Sequence, residues 1–157
     1  MDIRRAISQD SLLLSSLCMD VQRLHAENHP NLFKMPQTDD FAVPFFDEIL
    51  AGPYNVVFLA EENGQALGYV LCKMMERPET IFTFATRYVL VDQISVQPAA
   101  QGRGIGKALI EQVVSLSKEL NMPRIQLDSW GFNTEAHAFF ERMGFEKFNF
   151  RFWRHLE

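Results

Sequence analysis

A strand-like run ending in Ile94-Ser95-Val96 is followed by Pro98 and then by Gln101-Gly102-Arg103-Gly104-Ile105-Gly106-Lys107, with three alternate glycines opening a helix. Behind them Ile105, Leu109, Val113, Leu116 and Leu120 recur at helical spacing, so the helix has one apolar face. The first turn of any helix has amides without acceptors, and its dipole makes that end positive. Glycines remove Cβ atoms where the backbone must come close to something. A phosphate is the anion that suits such a terminus, and Arg103 and Lys107 add positive charge beside it.

Other nucleotide loops fit this stretch less well. A Walker loop needs a glycine where Gln101 stands and a hydroxyl where Ala108 stands. A dinucleotide fingerprint spaces its glycines G-x-G-x-x-G, whereas Gly102, Gly104 and Gly106 run G-x-G-x-G. Asp128 ends the next strand at a suitable separation for that reading, but a second strand–helix–strand half is missing. A plain tight turn has no use for three alternate glycines.

The rest of the chain sets these residues in a mixed α/β fold. Ile3 to Ile7 reads as an opening strand, and Ser8 caps a helix bearing Leu13, Leu17, Val21 and Leu24. Asp39 or Asp40 starts a second helix through Phe41, Phe45, Ile49 and Leu50, stopped by Gly52-Pro53. Val56–Glu62 and Gln65–Met75 flank Asn63-Gly64, a strong hairpin signal. Thr80 to Val96 is one long strand or a strand with a lead-in. After the glycine-led helix come a strand over Arg124–Asp128, a helix capped by Asn133 or Thr134 and ended by Gly144, and a final strand over Phe145–His155. The order is β-α-α-β-β-β-α-β-α-β. The strand–helix–strand unit from Tyr88 to Asp128 requires a parallel crossover, and the earlier strands pair as antiparallel hairpins.

Composition narrows the function. With 157 residues and 47% apolar content the chain suits one domain with a full core. Its 20 acidic against 15 basic residues include no basic cluster, so nucleic acid is not an expected partner and a cationic small molecule is mildly favoured. No apolar run is long enough for a membrane span, and the charged Met1–Arg5 does not resemble a signal peptide. Cys18 and Cys72 sit in apolar runs without metal or CxxC spacing, so they read as buried thiols in a reducing cytoplasm. No metal is expected.

Gln101-x-x-Gly104-x-Gly106 resembles the Q/R-x-x-G-x-G/A signature of the GNAT acetyltransferase superfamily. Asn133-x-x-Ala136-x-x-Phe139-Phe140-Glu141-x-x-Gly144-Phe145 is similar to that family's second motif, in the same order and at the same separation. The resemblance is close over about the last 70 residues and extends to the order of elements over the whole chain. It implies a fold of that kind and an acetyl-CoA-dependent N-acetyltransferase acting on a primary amine, of a small molecule in the first instance. A protein N-terminus or lysine is the alternative acceptor, and a CoA-binding module without catalysis is the alternative function.

By the same resemblance, the backbone of Ile94 and Val96, with Ser95 between them, would hold the pantetheine arm like an added strand. Amides from Gln101 through Gly102, Arg103, Gly104, Ile105 and Gly106 to Lys107 would hold the pyrophosphate. Asn133, Ala136, Phe139 and Phe140 would line the thiol end; for Asn133 a helix cap is an equal account. Asp92, the one acid on an otherwise core-like strand, is the candidate base, directly or through water; pairing with an arginine such as Arg87 would be its structural alternative. His137, on an apolar helix, reads as structural. Relatives often carry a Tyr acid where Phe140 stands, and Phe140 has no proton to give, so Tyr88 or water would have to substitute. The region Leu24–Asp40, including His25, Glu27 and His29, would border the acceptor, with Phe33 as its candidate contact. Phe148–Trp153 offers an apolar strand for a homodimer, although burial within one chain accounts for it equally well.

Overall fold

The computed structural model describes residues 1–156. Five strands form one sheet in the order β1 (Asp2–Arg5), β2 (Asn55–Glu62), β3 (Gln65–Arg77), β4 (Thr86–Val96) and β5 (Ile125–Leu127). The first three pairings are antiparallel and β4–β5 is parallel. Helices α1 (Ser11–Asn28) and α2 (Val43–Ala51) cover one face; α3 (Ile105–Glu119) covers the other, and α4 (Thr134–Arg142) follows β5.

Local sequence accounts for most boundaries. Asn63 and Gly64 both have positive φ (52° and 78°), as a two-residue type I′ turn requires, and they close the β2–β3 hairpin. Pro44 sits in the first turn of α2, where its missing N–H costs no hydrogen bond. Asn133 caps α4 by accepting from the Ala136 N–H, and Gly144, at φ 89°, ends it.

Two layers of apolar side chains enclose the sheet. Val70, Cys72, Val89, Val91, Ile105, Leu109 and Val113 form the α3 side. Leu14, Leu17, Phe46, Ile49, Leu59, Tyr69 and Leu71 form the α1–α2 side. Alternation along β4 is broken once. Leu71 pairs with Gln93 and Cys72 with Val91, so Asp92 is the extra residue of a β-bulge. The slip puts Val91 and Ile94 on the same face, although they are three positions apart. It also turns Gln93 and Ser95 to α1, where they meet Cys18 and the Leu17 carbonyl.

Several expectations are corrected. No strand forms over Phe145–His155, which has no sheet partners among the described residues. Its alternating phenylalanines find no apolar surface of this chain: Phe148, Phe150 and Phe152 are 70%, 67% and 93% exposed. Of the two readings of Thr80–Val96 the structure has the strand with a lead-in, because Thr80 and Thr83 close a turn and β4 starts at Thr86. Helix α1 starts at Ser11 and not at Ser8, since Ser8–Asp10 forms a short 3-10 turn. Asp39 and Asp40 do not start α2, which begins at Val43; Asp40 accepts from the Thr38 hydroxyl at 2.5 Å instead.

Candidate functional site

The chemistry-bearing residues gather where β4 outruns β5. Pairing with β5 covers only Val89–Val91, so the β5-facing edge of β4 is open from Asp92 to Val96. The Val89 N–H points to that side, donating to the Arg124 carbonyl, while the Gln97 N–H points back to Leu67 of β3. With the one-residue slip at Asp92, the peptide groups of Ile94 and Val96 face the open side. Ser95, between them, is buried and donates its hydroxyl to the Leu17 carbonyl at 3.2 Å, which fixes the strand on α1. Gln101 reaches back from the loop to the Val96 carbonyl at 3.3 Å.

That edge leads into the N-terminus of α3. The first intrahelical bond runs from the Ala108 N–H to the Gly104 carbonyl at 3.0 Å, so the amides of Ile105, Gly106 and Lys107 have no helical acceptor. No side chain caps the helix. The three glycines have different reasons. Gly102 and Gly104 take left-handed backbone (φ 76° and 81°) with no atom within 4 Å of a built Cβ. Gly106 instead makes room for a ring, since its Cβ would lie 3.2 Å from Phe139 Cζ. Close approach therefore accounts for Gly106, and left-handed backbone for Gly102 and Gly104. The expected charges are also partly spoken for. Arg103 pairs with Glu62 and holds that carboxyl below its ordinary range, while Lys107 stands 3.8 Å from Glu111.

Asp92 occupies the bulge where the open edge begins. Its carboxylate is 3.2 Å from Lys73 Nζ on β3, and both side chains retain over a quarter of their exposure. Arg87, the alternative partner, pairs with Glu76 at 2.9 Å. Beside Asp92, the Tyr69 hydroxyl donates to Gln93 Oε1 at 2.7 Å, and the Cys18 thiol approaches the same oxygen at 3.8 Å. Burial keeps the Tyr69 phenol protonated well above its usual range. Tyr88 lies at the start of β4, on the far side of the β5 pairing from the open edge, with Arg77 over its ring. Phe140 is buried and packs against Phe139 and Phe145. Ala136 and Phe139 share α4 with it and are half-buried. Among the described residues His137 hydrogen-bonds no carboxylate; its Nε2 is 3.0 Å from the Trp130 carbonyl.

Beyond the end of β5 the acceptor-side residues expected from the sequence, His25, His29 and Phe33, join an aromatic wall whose other members, Trp130 and Phe132, escaped the sequence reading. Phe33 stacks on His25 at 4.9 Å between centroids and meets Trp130 edge-on at 5.1 Å. His29 touches Trp130, Phe132 and Trp153 at 5.2–5.4 Å. Burial and the neighbouring His29 push the His25 imidazole below its ordinary pKa, so it favours the neutral form. The i, i+4 spacing of His25 and His29 and the Trp130-Gly131-Phe132 run just before Asn133 were the available signals. Both β4 and β5 end toward this wall because they are parallel.

The open edge of β4 thus runs into the uncapped N-terminus of α3. The family model described as "Acetyltransferase (GNAT) family" matches residues 19–145, and the chain belongs to that family. A 5-NmdU N-acetyltransferase of Pseudomonas phage PaMx11 is 27% identical over 131 residues, 80% of this chain and 85% of the phage protein. Among solved structures, a tetramutant of the BH1408 protein from Bacillus halodurans superposes with TM-score 0.91 at 21% identity, covering 99% of this chain and all of the other. The aminoglycoside N-acetyltransferase AAC(6')-Iy in complex with CoA superposes with TM-score 0.72 at 22% identity, over 98% of this chain and 93% of that one.

Among the described residues no helix is long and apolar enough to cross a membrane.

Proposed function

We propose that this chain transfers the acetyl group of acetyl-CoA to a primary amine of a small molecule, directly, with both substrates bound together. The observation that carries the donor half is the five-residue open edge of β4 running into the uncapped N-terminus of α3. An extended amide-bearing arm fits the first by strand addition, and a pyrophosphate fits the second. Ile94 and Val96, flanking Ser95, hold the arm. The loop Gln101-Gly102-Arg103-Gly104 and the amides of Ile105, Gly106 and Lys107 hold the phosphates. The face of α4 bearing Ala136, Phe139 and Phe140 closes the thiol end; Asn133 serves there by fixing the start of α4.

When bound, acetyl-CoA supplies an activated acetyl thioester. The chain's own task is to deliver a neutral amine, because an alkylammonium with a pKa near ~10.4 has no lone pair to offer. Asp92 takes that proton, directly or through one water, from its position at the head of the open edge. Lys73 keeps the carboxylate oriented. The backbone N–H of Val96, turned to the open side, donates to oxygen that gains charge. No protein acid is required, since a thiol with pKa near ~8.5 leaves as thiolate tolerably well; Phe140 contributes packing only.

On the acceptor side, Phe33 with His25, Trp130 and Phe132 offers ring faces to the amine's body and to its cationic form before deprotonation. The aminoglycoside acetyltransferase of the same fold and the phage N-acetyltransferase support a small-molecule acceptor.

The first experiment is thermal unfolding with acetyl-CoA, NAD and ATP, each in excess. Acetyl-CoA at about 100 times its Kd stabilises by roughly 2.7 kcal/mol. Stabilisation by acetyl-CoA alone, lost in Gly104→Val, supports the donor site; none, or a larger effect of NAD, removes it. Thiol release in an amine screen then tests transfer, and binding without turnover on any amine would leave only a CoA-binding module.

A further inference from the structure

Lys73 brings an amine of the chain itself to the carboxylate that an acceptor amine must reach. Val91 and Cys72 both belong to the α3 side of the sheet. Lys73, one residue beyond Cys72, therefore points to the opposite face, the side of Leu71 and Tyr69. Asp92, the extra residue of the bulge, meets it there, with Lys73 Nζ 3.2 Å from the carboxylate. That ion pair is the one polar contact of the Lys73 side chain among the described residues, and 29% of the side chain stays exposed.

Both halves of the site converge on this pair. Helix α1 lies over the same face, with Cys18 at Gln93, and runs on to His25 in the aromatic wall. The donor comes from the strand edge. With its phosphates at the N-terminus of α3, its arm runs back along β4 from Val96 toward Asp92, so the acyl end lies at the head of the edge. Lys73 Nζ thus stands where a bound amine gives up its proton.

We propose that Lys73 is an acceptor of this chain's own acetyl transfer, acetylated within the same molecule when no small amine takes its place on Asp92. The inference rests on the donor site proposed above. One ammonium proton passes from Nζ to Asp92 and on to water. Nζ then attacks the thioester carbonyl carbon, and the C–S bond breaks as the N–C bond forms. The second Nζ proton leaves with the CoA thiolate as free thiol. The resulting amide carries no charge, so Asp92 loses its ion pair and the acetyl group fills the amine's place. Self-acetylation thereby closes the site to further acceptors. Two lysines serve as internal controls. Lys147, beyond the end of α4, is also ion-paired, 2.8 Å from Glu141, and is more exposed at 52%. Lys118 lies in the last turn of α3, at the far end of that helix from the glycine loop.

Peptide mass mapping of the full chain after incubation with saturating acetyl-CoA and no added amine tests this, beside thermal unfolding with the same ligand. Lys73 gains one acetyl group about 10²-fold or more faster than Lys147 or Lys118, at a rate unchanged by about tenfold dilution of the protein. Excess CoA slows Lys73 and leaves the two controls alone. Asp92→Asn slows Lys73 by about 10²-fold or more. Spontaneous acylation has the opposite sign, because a neighbouring carboxylate favours the unreactive ammonium. Lys73→Arg keeps the positive charge, takes no acetyl group at that position and retains stabilisation by acetyl-CoA. Lys73 modified no faster than Lys147, or faster in Asp92→Asn than in wild type, overturns the inference, while stabilisation by acetyl-CoA leaves the donor site standing. No stabilisation by acetyl-CoA removes the donor site, and this inference falls with it.

Discussion

Gly68 of β3 offers a sharp test of how the open edge is held. It pairs with Val96, and a Cβ built on it would lie 2.5 Å from the Ser95 carbonyl oxygen and 3.1 Å from Val96 Cα. Both are backbone atoms of the strand that carries the donor-binding edge, so no side chain can swing away. Relief to ordinary contact requires β3 and β4 to part by roughly 1 Å. Overpacking of a well-filled site costs about 1–3 kcal/mol when side chains share the adjustment. Here the backbone must move, so Gly68→Ala is expected to cost about 3 kcal/mol, the upper end. For a chain of this size that lowers Tm by roughly 6–12 °C. Urea unfolding of Gly68→Ala beside Gly131→Ala measures it, because Gly131 has ordinary backbone and no atom within 4 Å of a built Cβ. Gly131→Ala should stay within about 0.5 kcal/mol of wild type. The displaced edge should also weaken acetyl-CoA stabilisation of Gly68→Ala, measured below its own unfolding transition. A Gly68→Ala variant as stable as Gly131→Ala would show that the β3–β4 spacing at Val96 is slack, and the account of a rigidly presented edge would fail.

Three further outcomes follow from the same geometry. Asp92→Asn should lower turnover by about 10²–10⁴-fold with acetyl-CoA stabilisation retained; turnover close to wild type assigns the base elsewhere. Burial pushes the Cys72 thiol up to about 12 and raises Cys18 as well, so both should resist a thiol-reactive dye at pH 8 in the native state and react on unfolding; rapid native labelling would contradict their burial. Asp10 accepts from Arg4 at 2.8 and 3.0 Å and from the Ile7 N–H at 2.7 Å, which holds its carboxyl below the ordinary range. Its stabilising contribution is therefore present above pH ~4, the unfolded value, and lost as pH falls through the lower folded one. Asp10→Asn should flatten the acid limb of a stability–pH curve, and an unaltered limb would mean the Arg4 contacts do not persist in solution.

Much of this architecture is legible because its causes are local. Asn63-Gly64 demands φ values that make a hairpin, and both residues have them. The glycines at 102 and 104 mark left-handed backbone, and Asn133 marks a helix start. The family motifs are legible for the same reason: each lies within one turn, strand end or helix. The terminal strand was misread because the alternation of Phe148, Phe150 and Phe152 reports a preference for a pleated surface, not the presence of a neighbour to provide one. Phe33 was picked from the sequence, with His25 and His29 in the same acceptor-bordering region, yet Trp130 and Phe132 were not, since about 100 residues separate Phe33 from Trp130.

By itself the sequence determined the glycine-led helix behind a strand, the order of the elements up to α4, and the family. Tertiary structure alone decided that Asp92 is the extra residue of a bulge, that Ile94 and Val96 turn their peptide groups to an open edge, and that Gly68 lets β3 approach Ser95 so closely. Strand register is chosen by the packing of both sheet faces together, and a slip of one residue exchanges those faces, so no single segment of the sequence encodes it.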